Sequence, residues 1–318
     1  MMVPSRPGSA RAAGLLAGGL LDAVLGDPRR GHPVAIFGAA ASQAETLLWS
    51  DSRGRGAAMV AACVAPVALG GLAAQRVTRG RPALTLAATA LASWTVLGGA
   101  SLGGSALALG RALEAGDLAA ARRMLPTLCG RDPEQLDPAG LARAAVESVA
   151  ENTSDAVVAP LFWGALFGLP GLLGYRAVNT LDAMIGQRSP RYQRFGWAAA
   201  RLDDVANLLP ARITGLLTVA LAPTVGGSSR RALRTLVRDG RRHPSPNAGQ
   251  CEAAFAGALG VRLGGRNSYL GRAERRGLLG DGAPPGAADI SRSVRLSRLV
   301  SAAALGLAAI VAWRRTYR

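Results

Sequence analysis

Lysine is absent: all 37 basic residues of the 318-residue chain are arginine. No phosphate-loop lysine and no lysine Schiff base can therefore operate, and any phosphate must be met by arginine, backbone amides or a metal. Aromatic residues make up only 4% of the chain, too few stacking rings for a nucleic-acid groove, so no nucleic-acid partner is expected. There are three cysteines, Cys63, Cys129 and Cys251, far apart in the chain, and only His32 and His243 to join them as soft ligands. Neither a zinc site nor a disulfide framework follows, and three small buried thiols are the plainer expectation.

What is abundant points to a bilayer. Apolar residues reach 49%, mean hydropathy is positive, and Ala, Leu, Val and Gly dominate, a mixture suited to closely packed helices in lipid. The net charge of +17 suits genome composition together with attraction to anionic lipid. The apolar run Ala12–Gly26, preceded by Arg6 and Arg11, looks superficially like a signal peptide, but Asp22 inside it argues against cleavage. Ala57–Ala74 and Ala83–Gly110 are uncharged and close to or above the roughly 18 residues needed to cross hydrocarbon, and both are expected to span. Leu299–Trp313 is shorter and is followed by Arg314 and Arg315, as in a tilted last helix anchored at an interface.

Two further apolar stretches carry helix breakers. Ala156–Tyr175 contains Pro160, Gly164, Gly168 and Pro170, and Ala206–Val225 contains Pro210 and Arg212, so both are expected to be broken or re-entrant. Alternating patterns are short and Ala-rich, giving no β-strand series, and the Gly280–Gly286 segment reads as a turn or linker. The expected fold is an all-α, polytopic membrane domain with broken or re-entrant helices, one domain over residues 1–318, with about four or five embedded segments.

The charged residues are not scattered. In DAVLGDPRRGHPV, Gly26 and Pro28 predict a helix stop and a fixed turn; such a turn can aim Asp27, Arg29 and His32 at one ligand, but taken alone it is more often a solvated loop. Glu147, Glu151 and Asp155 recur every four residues and predict three carboxylates on one helical face. Such a face is either exposed or held by arginine, water or a divalent cation, and its oxygen donors suit magnesium rather than zinc. Between Tyr175 and Arg212, the sets Arg176/Asn179/Asp182 and Arg201/Asp204/Asn207 each repeat at three, and Asp203 lies four before Asn207. Polar groups at membrane depth mark a site or a water-filled cavity, with an ion-pair network as the structural alternative. Ser245 and Asn247, between Pro244, Pro246 and a predicted helix from Gln250 onward, form a rigid polar turn; Glu252, Arg262 and the flexible GGRNSYLG segment could complete an anion or substrate site.

LLDAVLGDPRRGHPV, ESVAENTSDAVVAPLFW, YRAVNTLDAMIG with RYQRFGWAAARLDDVANLLPAR, and SPNAG followed by EAAFAGALGVRLGG occur in that order over most of the chain. Together they resemble the CobD/CbiB family, the adenosylcobinamide-phosphate synthases. Gln250 and Cys251 depart from the family pattern, where an aromatic and a proline are expected. The resemblance implies a multi-pass cell-membrane ligase of cobalamin biosynthesis. It condenses the propionate carboxylate of adenosylcobyric acid with (R)-1-aminopropan-2-ol or its O-phosphate, forming the amide of adenosylcobinamide or its phosphate, with ATP and magnesium driving the ligation. An unactivated carboxylate and amine do not condense readily in water, so activation as an acyl phosphate is chemically sensible.

On this resemblance, Glu151, Asp155, Asp203 and Asp204 are expected to hold magnesium, and Arg201 and Arg212 to neutralise phosphate charge. Asp27 and His32 take or relay the amine proton. Asn152, Asn179 and Asn247 orient polar groups of the corrinoid, with Asp182, Ser245, Glu252 and Arg262 also in the substrate site. The metal, phosphate and proton-transfer roles can be exchanged among these residues without conflict with the sequence. Two other readings, a transporter or a sensory protein handling a corrinoid or small cation, fit the same broken helices and intramembrane charges. The expected partners are the corrinoid and aminopropanol substrates and the lipid bilayer; the sequence assigns no oligomeric state. All polar clusters are expected on the cytoplasmic side, where ATP is available. If the segments beginning at Ala57, Ala83, Ala156 and Ala206 all crossed fully, Arg176–Asp204 would face away from the other clusters, so the proline-broken pair is expected to cross incompletely.

Overall fold

The computed structural model describes residues 7–28, 31–187, 189–269 and 272–315. Its helices are α1 (Pro7–Leu25), α2 (Pro33–Leu48), α3 (Arg53–Thr78), α4 (Pro82–Val96), α5 (Gly99–Glu114), α6 (Leu118–Met124), α7 (Pro138–Thr153), α8 (Ala159–Phe167), α9 (Leu169–Ile185), α10 (Trp197–Ala206), α11 (Leu208–Leu221), α12 (Ser229–Asp239), α13 (Ala248–Leu259) and α14 (Ala287–Arg314). One antiparallel hairpin, β1 (Leu263–Tyr269) and β2 (Arg272–Leu279), accompanies them.

The protein is a helical, polytopic membrane protein. Five stretches are long and apolar enough to cross a bilayer: Gly8–Leu25, Arg53–Thr78, Pro82–Glu114, Leu208–Val225 and Ala287–Arg314. Large apolar side chains such as Leu20, Val24, Leu69, Val77, Leu216 and Ile310 stand exposed on them. Water would make such faces a liability, whereas lipid is their natural solvent.

The chain forms two compact units, each assembled from separated segments. Unit 1 comprises 1–98, 159–207 and 304–318, and unit 2 comprises 99–158 and 208–303. Within unit 1, Gly14 and Gly18 let α1 lie directly on α4. A Cβ on Gly14 would come 2.6 Å from Thr89 Cβ, and one on Gly18 would come 2.3 Å from Ser93 Cβ. This is the small-residue spacing by which helices approach closely without a hydrophobic driving force. A second core joins α2, α3, α9 and α10 through Ala41, Met59, Leu181, Ile185, Phe195 and Ala199. In unit 2, α13 is buried along nearly its whole length, which its small side chains permit and its all-round apolar character requires.

The first proline-broken stretch behaves unlike an ordinary span. A π-helical turn, Ser154–Val158, leads into α8, whose nine residues rise only about 14 Å, short of a bilayer. Gly168 then adopts φ 74° and α9 begins at once. Gly171 lies against the Trp163 carbonyl, where a Cβ would meet the oxygen at 2.3 Å, so the two helices fold back on each other. The other stretch differs from expectation: α11 begins at Leu208, which places Pro210 in its first turn, where a missing N–H costs no hydrogen bond.

Ala83–Gly110, expected to span, lies within the candidate span Pro82–Glu114, where Leu97 turns extended (φ −72°, ψ 151°) and separates α4 from α5. One more sequence expectation needs correction. The GGRNSYLG segment is not a flexible loop where it is described: residues 264–269 belong to β1, and Leu270 and Gly271 lie outside the described residues. Its strand character is hidden by Gly264 and Gly265, which occupy positive φ at a register shift.

Candidate functional site

Unit 1 holds a polar centre built on α9 and α10. Asp203 receives Asn179 Nδ2 on one carboxylate oxygen (3.2 Å) and Asn207 Nδ2 on the other (3.0 Å). Tyr175 donates its hydroxyl to Asn207 Oδ1 (2.9 Å), and Arg176 Nη1 donates to Asn179 Oδ1 (3.5 Å). Helical periodicity produces this: Arg176 and Asn179 are one turn apart on α9, and Asp203 and Asn207 one turn apart across the end of α10. The two amides aim the Asp203 carboxylate without neutralising it, since an amide brings no charge. Asp204 pairs with Arg201 at 3.6 Å one turn away, an exposed and therefore weak contact. Asp182, half-buried, lies over Gly186 at the end of α9, where a Cβ would come 1.9 Å from Asp182 Oδ1.

His32 and Asp27 occupy the turn between α1 and α2. His32 caps α2: its Nδ1 accepts from Val34 N at 3.2 Å. With Nδ1 accepting, Nε2 is the ring nitrogen left to donate. Asp27 is half-buried, and Arg29 lies outside the described residues.

Unit 2 contains a second, more deeply buried centre. Glu147 pairs with Arg131 and accepts from Gly264 N at 2.6 Å. Arg143 reaches the Gly264 carbonyl and also donates to the Arg266 carbonyl at 2.8 Å and to Asn267 Oδ1 at 3.2 Å. The backbone approach at Gly264 depends on glycine, because a Cβ there would stand 2.0 Å from the Gly277 carbonyl oxygen. One turn along α7 from Glu147, burial pushes the Glu151 carboxyl above its usual range, while Arg276 and Arg131 pull the other way. Asp155 falls within the π-helical turn, so it leaves the four-residue face that Glu147 and Glu151 share.

Glu252, on α13, is buried to 1% exposure, and neither of its oxygens has a hydrogen-bond partner among the described residues. Desolvation, with Glu147 and Glu151 adding like charge, drives its carboxyl well above the ordinary range. His243 Nδ1 accepts from Ser245 N at 3.0 Å, which turns Nε2 toward Glu252 Oε1 at 3.8 Å, too long for a direct hydrogen bond. Burial, with help from Arg276, lowers the His243 imidazole to about 4. The imidazole is therefore neutral at pH 7, and burial favours the neutral form of the Glu252 carboxyl despite their proximity. Ser245 Oγ accepts from Asn247 N and Ala248 N at the start of α13, and Arg212 Nη1 donates to Asn247 Oδ1 at 3.2 Å. Asn152 spends its amide on its own helix, donating to the Ser148 carbonyl at 2.9 Å and to Ser148 Oγ at 3.2 Å. Arg262 is exposed.

The sequence-derived candidates thus divide by unit. Asp27, His32, Asn179, Asp182, Arg201, Asp203 and Asp204 belong to unit 1; Glu151, Asn152, Asp155, Arg212, Ser245, Asn247, Glu252 and Arg262 belong to unit 2. Among the described residues no three or more His, Cys, Asp or Glu side chains gather into a ready-made cation cage. A magnesium ion at these carboxylates would need substrate phosphates and water to complete its shell.

The profile of the CobD/Cbib protein family matches residues 15–297, across nearly all of both units. The chain belongs to the CobD/Cbib family. It is 57% identical over 305 residues to the cobalamin biosynthesis protein CobD of Mycobacterium tuberculosis, covering 96% of this chain and 97% of that one. It is 43% identical over 305 residues to the protein of that name from Rhodobacter capsulatus (92% and 95% covered), and 45% over 271 residues to that of Geobacter metallireducens (84% and 85%). No solved structure matches.

For this member of the CobD/Cbib family, sequence spacing missed three participants. Tyr175 reads as an ordinary apolar-face residue. His243 is separated from Glu252 by a proline-rich turn, which hides their proximity. Arg131 lies sixteen residues before Glu147, in a segment without helical periodicity; only the unexplained burial of an acidic stripe signals that a basic partner is needed.

Proposed function

We propose that the protein acts in cobalamin biosynthesis as an ATP-dependent ligase joining (R)-1-aminopropan-2-ol, or its O-phosphate, to the propionate carboxylate of adenosylcobyric acid. The observation that carries this reading is kinship over nearly the full chain with proteins named for cobalamin biosynthesis. The polar centres supply donors and acceptors of the kinds such a reaction needs. The reaction forms a C–N bond, releases the carboxylate oxygen to phosphate, and sheds a proton from the amine.

Asp203 and Asp204 on α10 in unit 1, and Glu151 on α7 and Asp155 in the π-helical turn in unit 2, are the carboxylates that would hold magnesium with nucleotide phosphates. Magnesium ATP, when bound, supplies the phosphoryl group that makes the carboxylate oxygen a leaving group. Arg201 and Arg212 balance phosphate charge. Asp27 accepts the amine proton, and His32, with Nδ1 committed to its helix cap, contributes an N–H donor. Asn179 and Asp182 in unit 1, and Asn152, Ser245, Asn247, Glu252 and Arg262 in unit 2, orient the amide-rich corrinoid and the amine, with access from the cytoplasm.

Purified protein in detergent or nanodiscs, given adenosylcobyric acid, either amine and magnesium ATP, is expected to form the amide with matching ADP release, read by mass spectrometry. Asp203→Ala and Glu151→Ala are each expected to lower turnover by at least about 100-fold while inserting normally. Near-wild-type ligation by a normally inserted variant at limiting magnesium would remove that carboxylate from the metal role. Uptake of corrinoid by proteoliposomes without turnover would replace the ligase with a transporter.

A further inference from the structure

One end of unit 1 collects arginines from three helices. Arg11 comes from the first turns of α1, Arg76 from the last turn of α3 with Arg79 just beyond it, Arg314 closes α14, and Arg315 follows. Two clefts of about 600 and 440 Å³ open among these side chains and share Arg11 and Arg315. No carboxylate lines either cleft, and among the described residues none of the five arginines is in an ion pair. Five like charges converge there.

What positions them is neutral. Gly168, at φ 74°, brings the α8–α9 turn in so closely that a Cβ would stand 3.2 Å from Arg11 Cζ. The same turn is fixed by Leu169 N donating to Gln75 Oε1 at 3.0 Å. Arg315 donates to the Leu166 carbonyl and lies over the Phe167 ring, 5.9 Å from its centroid. These contacts orient guanidinium groups without discharging them, so an anion entering the cleft meets preformed donors.

The surroundings select the kind of anion. The cleft walls include Leu72, Leu166 and Val311, and the helices behind them are long enough to cross a bilayer. Leu69 (62% exposed) and Ile310 (50%) continue the apolar surface away from the arginines, while Phe167 and Trp313 stand exposed near the boundary. Basic groups above, aromatics at the edge and hydrocarbon-facing side chains below are the order of a membrane interface. A free phosphate ion gains nothing from the apolar face; a phospholipid fills both.

We propose that the Arg11, Arg76, Arg79, Arg314 and Arg315 cleft binds the phosphate headgroup of an anionic phospholipid, whose acyl chains lie along the exposed faces of α3 and α14. The site is distinct from the polar centre at Asp203, and the proposal does not depend on the ligase reading.

The test uses the full chain, delipidated in neutral detergent and titrated with phosphatidylglycerol or phosphatidylcholine, with binding read by native mass spectrometry. The exposed Arg76, Arg79 and Arg315 are changed together to Gln; the control changes the exposed Arg230, Arg234 and Arg241 to Gln, removing the same charge elsewhere. Phosphatidylglycerol affinity is expected to fall about fivefold per arginine in the first variant, on the order of 100-fold in all, and to stay within about twofold in the control. The corresponding triple Lys variant, which keeps the charge, is expected to retain most of the binding, guarding against a loss caused by misfolding. Equal losses in both Gln variants, no preference for phosphatidylglycerol, or displacement of the lipid by inorganic phosphate would each overturn the proposal, the last by making the cleft a free-anion site.

Discussion

At the scale of single residues, the strongest tension lies between Glu252 and His243. Burial drives the carboxyl up and the imidazole down, so each departs from its unfolded behaviour in a different pH range. For His243, the unfolded ring takes a proton near pH 6.5 and the folded one only near 4. Its contribution is therefore complete above 6.5 and is lost as pH falls toward 4, amounting to on the order of 3 kcal/mol. For Glu252 the sign reverses: the folded state keeps a proton that the unfolded state gives up, so stability erodes as pH rises past the ordinary carboxylate range. Glu252→Gln is accordingly expected to raise the melting temperature at neutral pH, with the gain growing toward alkaline pH, and His243→Gln to flatten the loss between pH 6.5 and 4. Thermal unfolding in detergent across pH checks both; a Glu252→Gln protein less stable than wild type at every pH would mean that the carboxylate has a charged partner. The chemistry of these residues was partly legible in the sequence. The Ser245–Asn247 turn and Glu252 stand out by their prolines and charge, whereas pKa direction depends on burial, which no local pattern reveals.

At the scale of elements, periodicity and breakers carried different amounts of information. The uncharged run within α3 and the small-residue run of α13 each form the helix that their sequence expects. Gly168 and Pro170 mark the reversal between α8 and α9, because a positive φ followed by proline both ends one helix and starts the next. The separation of α4 from α5 was not legible, since an uncharged Gly-rich run reads alike as one long helix or two. The β1–β2 hairpin escaped because Gly264, Gly265 and Gly277 interrupt its alternation. Helix pairing was also invisible until Gly14 and Gly18 were seen against Thr89 and Ser93. Gly18→Ile is expected to cost at least about 1–3 kcal/mol, because Ser93 Cβ and the Ala90 carbonyl stand 2.3 and 2.6 Å from the new Cβ. Detergent-resistant unfolding would show it as a lowered midpoint, while Gly70→Ala on α3, with nothing within 4 Å, should leave the midpoint unchanged.

At the scale of the whole molecule, the membrane character follows directly from composition, but the sides of the membrane do not. Arginines lie at both ends of the spans in unit 1: Arg11, Arg76, Arg79 and Arg314 at one, Arg53, Arg55 and Arg191 at the other. The positive-inside rule therefore has no asymmetry to act on. Cytoplasmic access is instead argued from the supply of ATP. Single cysteines placed at Ser189 and Ser245, after Cys63, Cys129 and Cys251 are replaced, are expected to react with an impermeant maleimide only from the cytoplasmic face of sealed vesicles. Labelling from opposite faces would reject a common access side.

The way the segments alternate between the two units also has a consequence for synthesis. Unit 1 is begun by α1–α4 and completed only by the last turns of α14, where Leu305 packs against Gly19. At about 5–20 residues per second, the ribosome needs on the order of ten to forty seconds to make the chain between Gly98 and the end. Throughout that interval α1, α3 and α4 are without the partner that covers Gly19. The last turns of α14 thus close unit 1 late, and slower synthesis of the segment before Leu305 prolongs the window in which quality-control proteases meet an open bundle.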